Sequence, residues 1–375
     1  MSCSQIPQRR CLVQPPRPVY GEPTMTTKLL FVGAGAVGSY IGAFLSQAGH
    51  DVTLADPWAE QVDAINQHGI SATGPHDPFQ ARPRAVRVDE AARLGREFDI
   101  AFIATKSYDT EWAARLALSC LKPSGFAVSA QNCWNDSVIA SIVGADRAIG
   151  LVMSHITVAL WKPGQVERGA EKKASASGYD VFRAGEHNGK ITPRVTDLVA
   201  MLSVVDGARA TDNLWGERWA KLCLNCMGNP VQAMTGLGTR EIASNPRGRE
   251  ITIRLGQESA QVGLKAGYRV EEIGGSKAQT WADASRPEVY QELDATLAAR
   301  AGSGRNWRAS MAQDVIKGRP TEINYMNGFV VDKGREVGIE TPVSAAAVDL
   351  VAEIDARKRQ PSAEHIELAL RRAGF

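Results

Sequence analysis

Histidine, cysteine and unbalanced charge are all scarce in this chain of 375 residues. Lys and Arg number 43 against 41 Asp and Glu, a formal net charge of +2, so the charge predicts neither a nucleic-acid nor a membrane partner. The basic cluster at 357–359 is interpreted as the solvated end of a helix. The 6 histidines never form an H-x-x-x-H pair, and a metal site is therefore not predicted.

The 6 cysteines, at positions 3, 11, 120, 133, 223 and 226, form no regular framework. Because no signal peptide accompanies them, they are interpreted as reduced thiols of a cytoplasmic protein. Cys223 and Cys226 make one C-x-x-C without a second pair. A metal or redox role is one interpretation of this pair, and a packed helix face is the preferred one.

Prolines interrupt residues 1–24 repeatedly, and no apolar run there is long enough for a signal peptide or a membrane span. We expect a disordered extension over residues 1–27. The alternatives are an overlong start, with Met25 as the initiator, and a transit peptide.

From Lys28 onward the pattern alternates between strands and helices. An apolar strand at 29–32, a glycine turn, a helix at 37–48 and a strand at 51–56 make a βαβ unit, which predicts a parallel sheet. Further strands are expected at 86–88, 100–104, 126–130 and 148–153, with helices between them, and antiparallel hairpins up to about Phe182.

After Asp212 the strands stop and amphipathic stretches follow, near 215–234, 247–266, 288–299, 321–337, 343–356 and 364–373. The predicted fold class is therefore α/β. A Rossmann-type parallel sheet domain is expected over residues 28–212 and an all-helical domain for substrate binding and dimerisation over residues 213–375.

The turn Gly33-Ala34-Gly35-Ala36-Val37-Gly38 has the G-x-G-x-x-G pattern between a strand and a helix, the context that makes the motif specific. Gly33 permits the tight turn, Gly35 lets a pyrophosphate approach the backbone, and Gly38 lets helix and strand pack closely. The helix start then offers free N–H groups to phosphates. This turn predicts binding of NAD or NADP.

Asp56 ends the second strand, where a carboxylate can accept hydrogen bonds from the ribose hydroxyls of NAD and would repel the 2′-phosphate of NADP. Asp56 therefore favours NAD, although a helix-capping aspartate is the alternative. Lys106, after the strand that ends at Ala104, is either a ligand to the adenosine end of the cofactor or a surface lysine.

Lys221, Asn225 and Asn229 are spaced i, i+4 and i+8, which places them on one face of a helix that is otherwise apolar. Buried polar groups need partners, so this stripe indicates a polar ligand, and a solvent-facing stripe is the alternative. A lysine suits reduction of a ketone, because it can stabilise and protonate the forming alkoxide. Glu322, expected at a helix start, either interacts with the helix dipole or orients a lysine or a ligand hydroxyl.

Together these residues resemble the ketopantoate reductase family over most of the chain from Lys28 to about Leu350. The motifs that carry the resemblance are GAGAVG at 33–38, TK at 105–106, QN at 131–132, KLCLNCMGNP at 221–230, SMAQDV at 310–315, GRPTEIN at 318–324 and TP at 341–342. The resemblance implies a cytoplasmic homodimer with a cleft between two domains. It also implies an NAD(P)-dependent oxidoreductase acting on CH–OH groups, which reduces 2-dehydropantoate to pantoate.

By this resemblance Lys221 is the general acid, and Asn225, Asn229 and Ser310 bind the substrate. The resemblance also assigns Asn132 to the border of nicotinamide and substrate, Glu322 to a position near lysine and cofactor, and Thr157 to a backbone contact with the cofactor.

This sequence departs from the family pattern at three places, which bear on the cofactor and on the acid that the protein would accept. Asp56-Pro57 stands where the family usually has an arginine that grips the NADP phosphate. Cys133-Trp134-Asn135 stands where the family has glycines, and Trp134 beside the nicotinamide pocket could change the accepted acid. The stretch 275–309, with Trp281 and Trp307, is longer than expected and could cover the cleft.

The leading hypothesis is reversible hydride transfer between a nicotinamide cofactor and a small 2-oxo acid, with Lys221 as proton donor and Glu322 holding it in place. An NAD-dependent 2-hydroxyacid dehydrogenase of the same fold, working in the oxidising direction, is the second hypothesis. A non-catalytic cofactor-binding regulator is the third, and the presence of both Lys221 and Glu322 speaks against it.

Overall fold

The structure, a computed structural model, describes residues 26–170, 180–302 and 306–375. The predicted disordered extension lies outside the described residues apart from Thr26 and Thr27. Among the described helices, none is both long and apolar enough to cross a membrane.

The strands of the described residues all lie in the first part of the chain. They are β1 (Lys28–Val32), β2 (Asp51–Asp56), β3 (Ile70–Thr73), β4 (Phe79–Ala81), β5 (Arg84–Arg87), β6 (Phe98–Ile103), β7 (Leu121–Ser129), β8 (Ala148–Met153), β9 (Val158–Lys162), β10 (Gln165–Arg168), β11 (Phe182–Glu186) and β12 (Ala208–Ala210).

Eight of these strands form one sheet in the order β12-β11-β8-β7-β6-β1-β2-β5. Its pairs are parallel except for β11 against β8. The central strands are mostly buried toward their carboxyl ends because helices cover both faces, and every residue of β8 is buried. The predicted parallel sheet is confirmed.

Six helices pack against this sheet, namely α1 (Ala36–Gln47), α2 (Ala59–His68), α3 (Val88–Ala91), α4 (Thr110–Cys120), α5 (Asp136–Val143) and α6 (Pro193–Leu202). A second sheet has the order β4-β3-β10-β9, with β9 and β10 as an antiparallel hairpin. The sequence pattern predicts the hairpin but not β3 and β4, because strands of three and four residues show too little alternation to be recognised.

The rest of the chain is helical, as predicted. Its helices are α7 (Leu214–Thr235), α8 (Thr239–Ser244), α9 (Pro246–Lys265), α10 (Ala278–Ala282), α11 (Pro287–Ala298), α12 (Ser310–Ile316), α13 (Asn327–Val337), α14 (Pro342–Asp355) and α15 (His365–Arg372). The helix expected over 321–337 is wrong in its first turn. A 3₁₀ turn at Ile323–Tyr325 precedes α13, and Met326 between them has φ −103° and ψ −93°.

The long helices α7 and α9 form the centre of the helical part. Trp219 and Trp281 are fully buried there, and Gly263 and Gly256 of α9 leave room for their rings. Cys223 and Cys226 are buried in the same core, as a packed helix face requires. The opposite, polar side of α7 is therefore held in a fixed orientation toward the sheet.

Candidate active site

The glycine turn joins β1 to α1 at the carboxyl edge of the sheet. Gly33 has φ +105°, and a Cβ there would lie 2.8 Å from the Ala104 carbonyl. A Cβ at Gly38 would lie 2.0 Å from the Gly33 oxygen. A Cβ at Gly35 would meet no atom within 4 Å, and Gly35 caps α1 without a side chain. The turn thus leaves open space in front of the first N–H groups of α1, as a bound pyrophosphate needs.

Alanine substitutions at two of these glycines should have opposite consequences. Gly38→Ala lowers the free energy of unfolding by about 1–3 kcal/mol or more, because backbone must move to admit the methyl group. Gly35→Ala leaves that free energy within about 1 kcal/mol of wild type. It nevertheless weakens dinucleotide binding about tenfold or more by filling the approach to α1. Urea unfolding and fluorescence titration with NADH measure the two effects. Unweakened binding by Gly35→Ala would contradict this assignment.

Asp56, at the end of β2, and the glycine turn line one cavity, which is called the cofactor cavity below. Its Oδ2 accepts a hydrogen bond from the Ala34 N–H at 2.6 Å and its Oδ1 one from the Trp58 N–H at 2.9 Å. Burial raises the pKa of this carboxyl, and nearby Arg319 acts in the opposite sense. The guanidinium of Arg319 lies over the Trp58 ring, 5.4 Å from its centroid. Arg319 lies within the motif GRPTEIN, but the sequence alone predicts no role for it.

Lys106 is part of an ion-pair network, and its side chain is 28% exposed. Its Nζ lies 2.5 Å from Asp314 and 3.0 Å from Glu322. Burial lowers the pKa of Lys106, but the two carboxylates outweigh it and raise that pKa above its ordinary value. This network joins the loop after β6 to the helical part of the chain.

Glu322 therefore pairs with Lys106, and among the described residues Lys221 is not one of its partners. Its Oε1 accepts hydrogen bonds from Ser107, from the N–H at 2.9 Å and from Oγ at 2.7 Å. Burial raises the pKa of the Glu322 carboxyl, yet Lys106 and Ser107 together hold it below its ordinary value. Asp314 and Ser107 were missed as site residues, although each lies in or beside a motif that the sequence analysis quoted.

Four polar side chains connect α7 to the cofactor cavity. Asn225 Nδ2 donates a hydrogen bond to Asn132 Oδ1 at 3.3 Å, and Ser310 Oγ donates one to Asn229 Oδ1 at 3.2 Å. Asn132 and Ser310 line the cavity, which measures about 370 Å³ and also contains the glycine turn, Asp56, Lys106 and Glu322. The predicted amide stripe is thus buried behind that cavity and does not face solvent.

Lys221 lines a neighbouring cavity of about 520 Å³, with Ser154, Arg183, Glu217 and Leu224 among its walls. Met153 lines the first cavity and the next residue, Ser154, lines the second, so the two cavities are neighbours along one stretch of backbone. Within the described part of the chain, the Lys221 ammonium makes no hydrogen bond and no ion pair. Burial lowers the pKa of Lys221 to about 8, and the charge of Arg183 contributes to this lowering.

Thr157 precedes the cavity-lining Val158 and has φ +38°. Its carbonyl accepts a hydrogen bond from the Gly169 N–H at 2.8 Å. The backbone at Thr157 therefore lies beside the cofactor cavity, and its threonine side chain is not among the groups that line it.

Two expectations about aromatic side chains are wrong. Trp134 does not lie beside the cofactor cavity, because its ring packs 5.1–5.6 Å from Trp215, Trp219, Tyr268 and Phe329. Trp281 is in the helical core, whereas Gly275 and Arg300 of the same stretch line the cavity that contains Lys221.

Cys133, which precedes Trp134, has φ +66°. This is the backbone region that favours glycine, and the resemblance led us to expect glycine here. Trp307 lies against Gly169, so this part of the stretch 275–309 contacts the end of β10.

Comparison with known proteins agrees with this arrangement. Residues 29–178 match the family model described as ketopantoate reductase PanE/ApbA, and residues 213–355 match the model of its C-terminal part. A 2-dehydropantoate 2-reductase of Archaeoglobus fulgidus is 26% identical over 331 residues, covering 88% of this chain and 98% of the relative. One of Aquifex aeolicus is 28% identical over 335 residues, covering 87% and 96%.

Solved structures share the fold. A PanE/ApbA family ketopantoate reductase from Ralstonia eutropha JMP134 superposes with a TM-score of 0.72 at 23% identity, covering 89% of this chain and all of that one. A D-mandelate dehydrogenase with NADH and anilino(oxo)acetate gives 0.74 at 22% identity, covering 88% and 99%. A dimeric ketopantoate reductase from Staphylococcus aureus gives 0.66 at 18% identity, covering 88% and 100%.

The sheet, the glycine turn and the polar helix define a nicotinamide-dependent type of oxidoreductase that acts on CH–OH groups. The chain belongs to the ketopantoate reductase family.

Proposed function

We propose that this enzyme reduces a small 2-oxo acid to the 2-hydroxy acid, with Lys221 as the proton donor. The observation that carries the proposal is the unpaired Lys221 ammonium with a pKa lowered to about 8. It lies one helical turn before Asn225, which contacts Asn132 of the cofactor cavity. A lysine with such a pKa is protonated at neutral pH and still gives up its proton readily.

The residues of the cofactor cavity fit a nicotinamide dinucleotide. The glycine turn would hold the pyrophosphate against the start of α1, and Asp56 would accept hydrogen bonds from the adenosine ribose. The bound nicotinamide would supply the hydride. Lys106 is fixed between two carboxylates, so it would contribute a positioned cation near the cofactor rather than a proton.

The 2-oxo acid would occupy the junction of the two cavities. Asn132 and Ser310 are the polar groups there on the side of the cofactor, and Asn225 and Asn229 support them from α7. Lys221 approaches the junction from the second cavity, where it can stabilise negative charge on the forming alkoxide and protonate it. Glu322 then acts through Lys106 and Ser107, which differs from the direct Lys221 contact that we expected.

NAD-dependent oxidation of a 2-hydroxy acid is a second candidate function. Asp56 favours it, since a carboxylate at the end of β2 would accept hydrogen bonds from the ribose of NAD. The structural neighbour D-mandelate dehydrogenase, crystallised with NADH, has the same fold. In this candidate the same Lys221 would accept the proton, so the two candidates differ in substrate and direction and share the machinery.

The cofactor preference should depend on two opposing charges in one corner of the cavity. Asp56→Asn raises kcat/KM with NADPH by roughly five- to tenfold, because a charge that repels a 2′-phosphate is removed. Arg319→Ala lowers it by a similar factor, roughly five- to tenfold, and affects NADH less. Initial rates with both cofactors measure this. A clear preference of the wild type for NADPH that Asp56→Asn leaves unchanged would contradict the preference for NAD.

The proposed function is tested by steady-state assays of the full chain with NADH and NADPH against a panel of 2-oxo acids that includes 2-dehydropantoate. Turnover of at least one acid that depends on Lys221 supports it, and turnover of none contradicts it. We also propose a homodimer, in line with the dimeric Staphylococcus aureus relative, and sedimentation of the purified chain tests this. The cytoplasmic location implied by the resemblance remains a prediction.

A further inference from the structure

Glu217 and Lys221 occupy positions i and i+4 of α7, both on the wall of the second cavity. Glutamate four residues before lysine is the favoured arrangement for an ion pair on a helix. The structure nevertheless leaves Lys221 unpaired within its described residues, so something must hold the Glu217 carboxylate elsewhere.

Two arginines hold it. Arg183 of β11 and Arg209 of β12 are register partners in the sheet, which places their guanidinium groups side by side under α7. Glu217 Oε2 lies 2.7 Å from Arg183 Nε, and Oε1 accepts a hydrogen bond from Arg209. Glu217 is 5% exposed and Arg183 8%, whereas the Arg209 side chain is 46% exposed. Arg183 is therefore the partner that solvent screens least.

Arg183 is itself fixed by hydrogen bonds that its two Nη atoms donate. Its Nη1 donates to the Asp180 carbonyl at 2.7 Å and its Nη2 to Ser154 Oγ at 2.6 Å. Ser154 lines the Lys221 cavity and directly follows Met153, which lines the cofactor cavity. Arg183 thus connects Ser154 to the carboxylate that would otherwise reach Lys221.

We infer that Arg183 is a positioning residue for Lys221, because it binds Glu217 and so leaves the Lys221 ammonium free for the substrate. This inference rests on the proposed function. Other charged or titratable groups also face Lys221. From the sheet side these are Cys133, His155, Asp180 and Arg209, and from the helical side Glu271, Glu272 and Arg300. Glu217, the partner of Arg183, differs from these groups because it lies one turn before Lys221 on the same helix.

We expect the pKa of Lys221 to shift in opposite directions in two single variants. In Arg183→Met, a cation is lost and Glu217 Oε2 is free to pair with Lys221, so the pKa of Lys221 rises by about one pH unit or more. In Glu217→Gln, Arg183 and Arg209 lose their counter-charge, and the pKa of Lys221 falls below the wild-type value of about 8. In the double variant Arg183→Met/Glu217→Gln, the pKa of Lys221 lies between its values in Arg183→Met and in wild type. In Arg183→Lys, this pKa keeps its wild-type value.

Trace acetylation of the full chain with acetic anhydride, followed by mass spectrometry of the Lys221 peptide, measures this pKa without turnover. Acetic anhydride reacts only with the neutral amine, so below the pKa the labelling rate rises about tenfold per pH unit. At a fixed pH, each unit by which the pKa of Lys221 rises lowers the labelling rate about tenfold. Arg194→Met is the matched control. Arg194 pairs at 2.6 Å with Glu186 of β11, the strand that also contains Arg183, and Arg194 does not line the Lys221 cavity.

An unchanged pKa in Arg183→Met, or equal shifts in Arg183→Met and the double variant, would overturn the inference. If Arg183→Met does not fold, the sign of the shift in Glu217→Gln decides, since a fall supports the inference and no change overturns it. The proposed function fails separately, through absence of Lys221-dependent reduction in the wild type, while labelling still reports on Lys221.

Discussion

Replacement of Lys221 by alanine should lower kcat for reduction of the 2-oxo acid by about 10²–10⁴-fold, the usual contribution of a positioned general acid. No other described lysine lines the cavity that contains Lys221. Dinucleotide binding should be nearly unchanged, because the glycine turn and Asp56 belong to the neighbouring cavity. Stopped-flow reduction assays and fluorescence titration with NADH measure the two quantities on the same preparation.

A second substitution separates charge from proton transfer. Lys221→Arg keeps a cation in the cavity but cannot give up a proton near neutral pH, so its rate should stay close to that of Lys221→Ala. Lys333→Ala is the control, since Lys333 pairs with Glu336 on the surface of α13. If Lys221→Ala retains more than about a tenth of the wild-type rate, Lys221 is not the acid.

Replacement of Glu322 by alanine should lower the free energy of unfolding by about 3–5 kcal/mol, the range for removing one partner of a buried ion pair. Lys106 loses one of its two carboxylates, and the Ser107 N–H and Oγ lose their acceptor. Glu322→Gln restores an acceptor for Ser107 without the charge and should be intermediate. Urea unfolding at neutral pH measures the three proteins.

The matched control is an exposed ion pair. Lys28 and Glu97 lie 2.7 Å apart with side chains 40% and 35% exposed, so Glu97→Ala should cost less than about 1 kcal/mol. The pKa of Glu322 is lower in the folded chain than its ordinary value of 4.5. The ionised Glu322 carboxylate therefore contributes fully to the free energy of unfolding above about pH 4.5. This contribution is lost as the pH falls through the pKa that Glu322 has in the folded chain. Equal losses from Glu322→Ala and Glu97→Ala would contradict the buried network.

The parts of the molecule that local pattern determines were predictable. A single strand or helix sets the spacing of its own apolar and polar residues. This spacing is visible in the apolar strands beside the glycine turn and in the i, i+4, i+8 stripe of α7. The turn and the stripe identified the elements that line the two cavities. Short strands such as β3 carry too few residues to show a period.

The pairings across the fold were not predictable in the same way. Glu322 lies far along the chain from both lysines, and nothing local indicates that its carboxylate meets Lys106 instead of Lys221. The direction of Trp134 depends on the turn at Cys133, whose positive φ the residue type does not suggest. Glu217 pairs with Arg183 and Arg209 instead of Lys221 because of the register of β11 and β12, two strands that the sequence pattern did not show.

The central claim is that Lys221 donates the proton, and the pH dependence of single-turnover hydride transfer in both directions tests it most directly. The account predicts a reduction rate that is constant at low pH and falls tenfold per pH unit above about pH 8, because the ammonium form is the acid. Oxidation of the hydroxy acid should rise through the same pKa, because the neutral amine is then the base. A reduction rate without this falling limb, or a limb that persists in Lys221→Ala, would contradict the account.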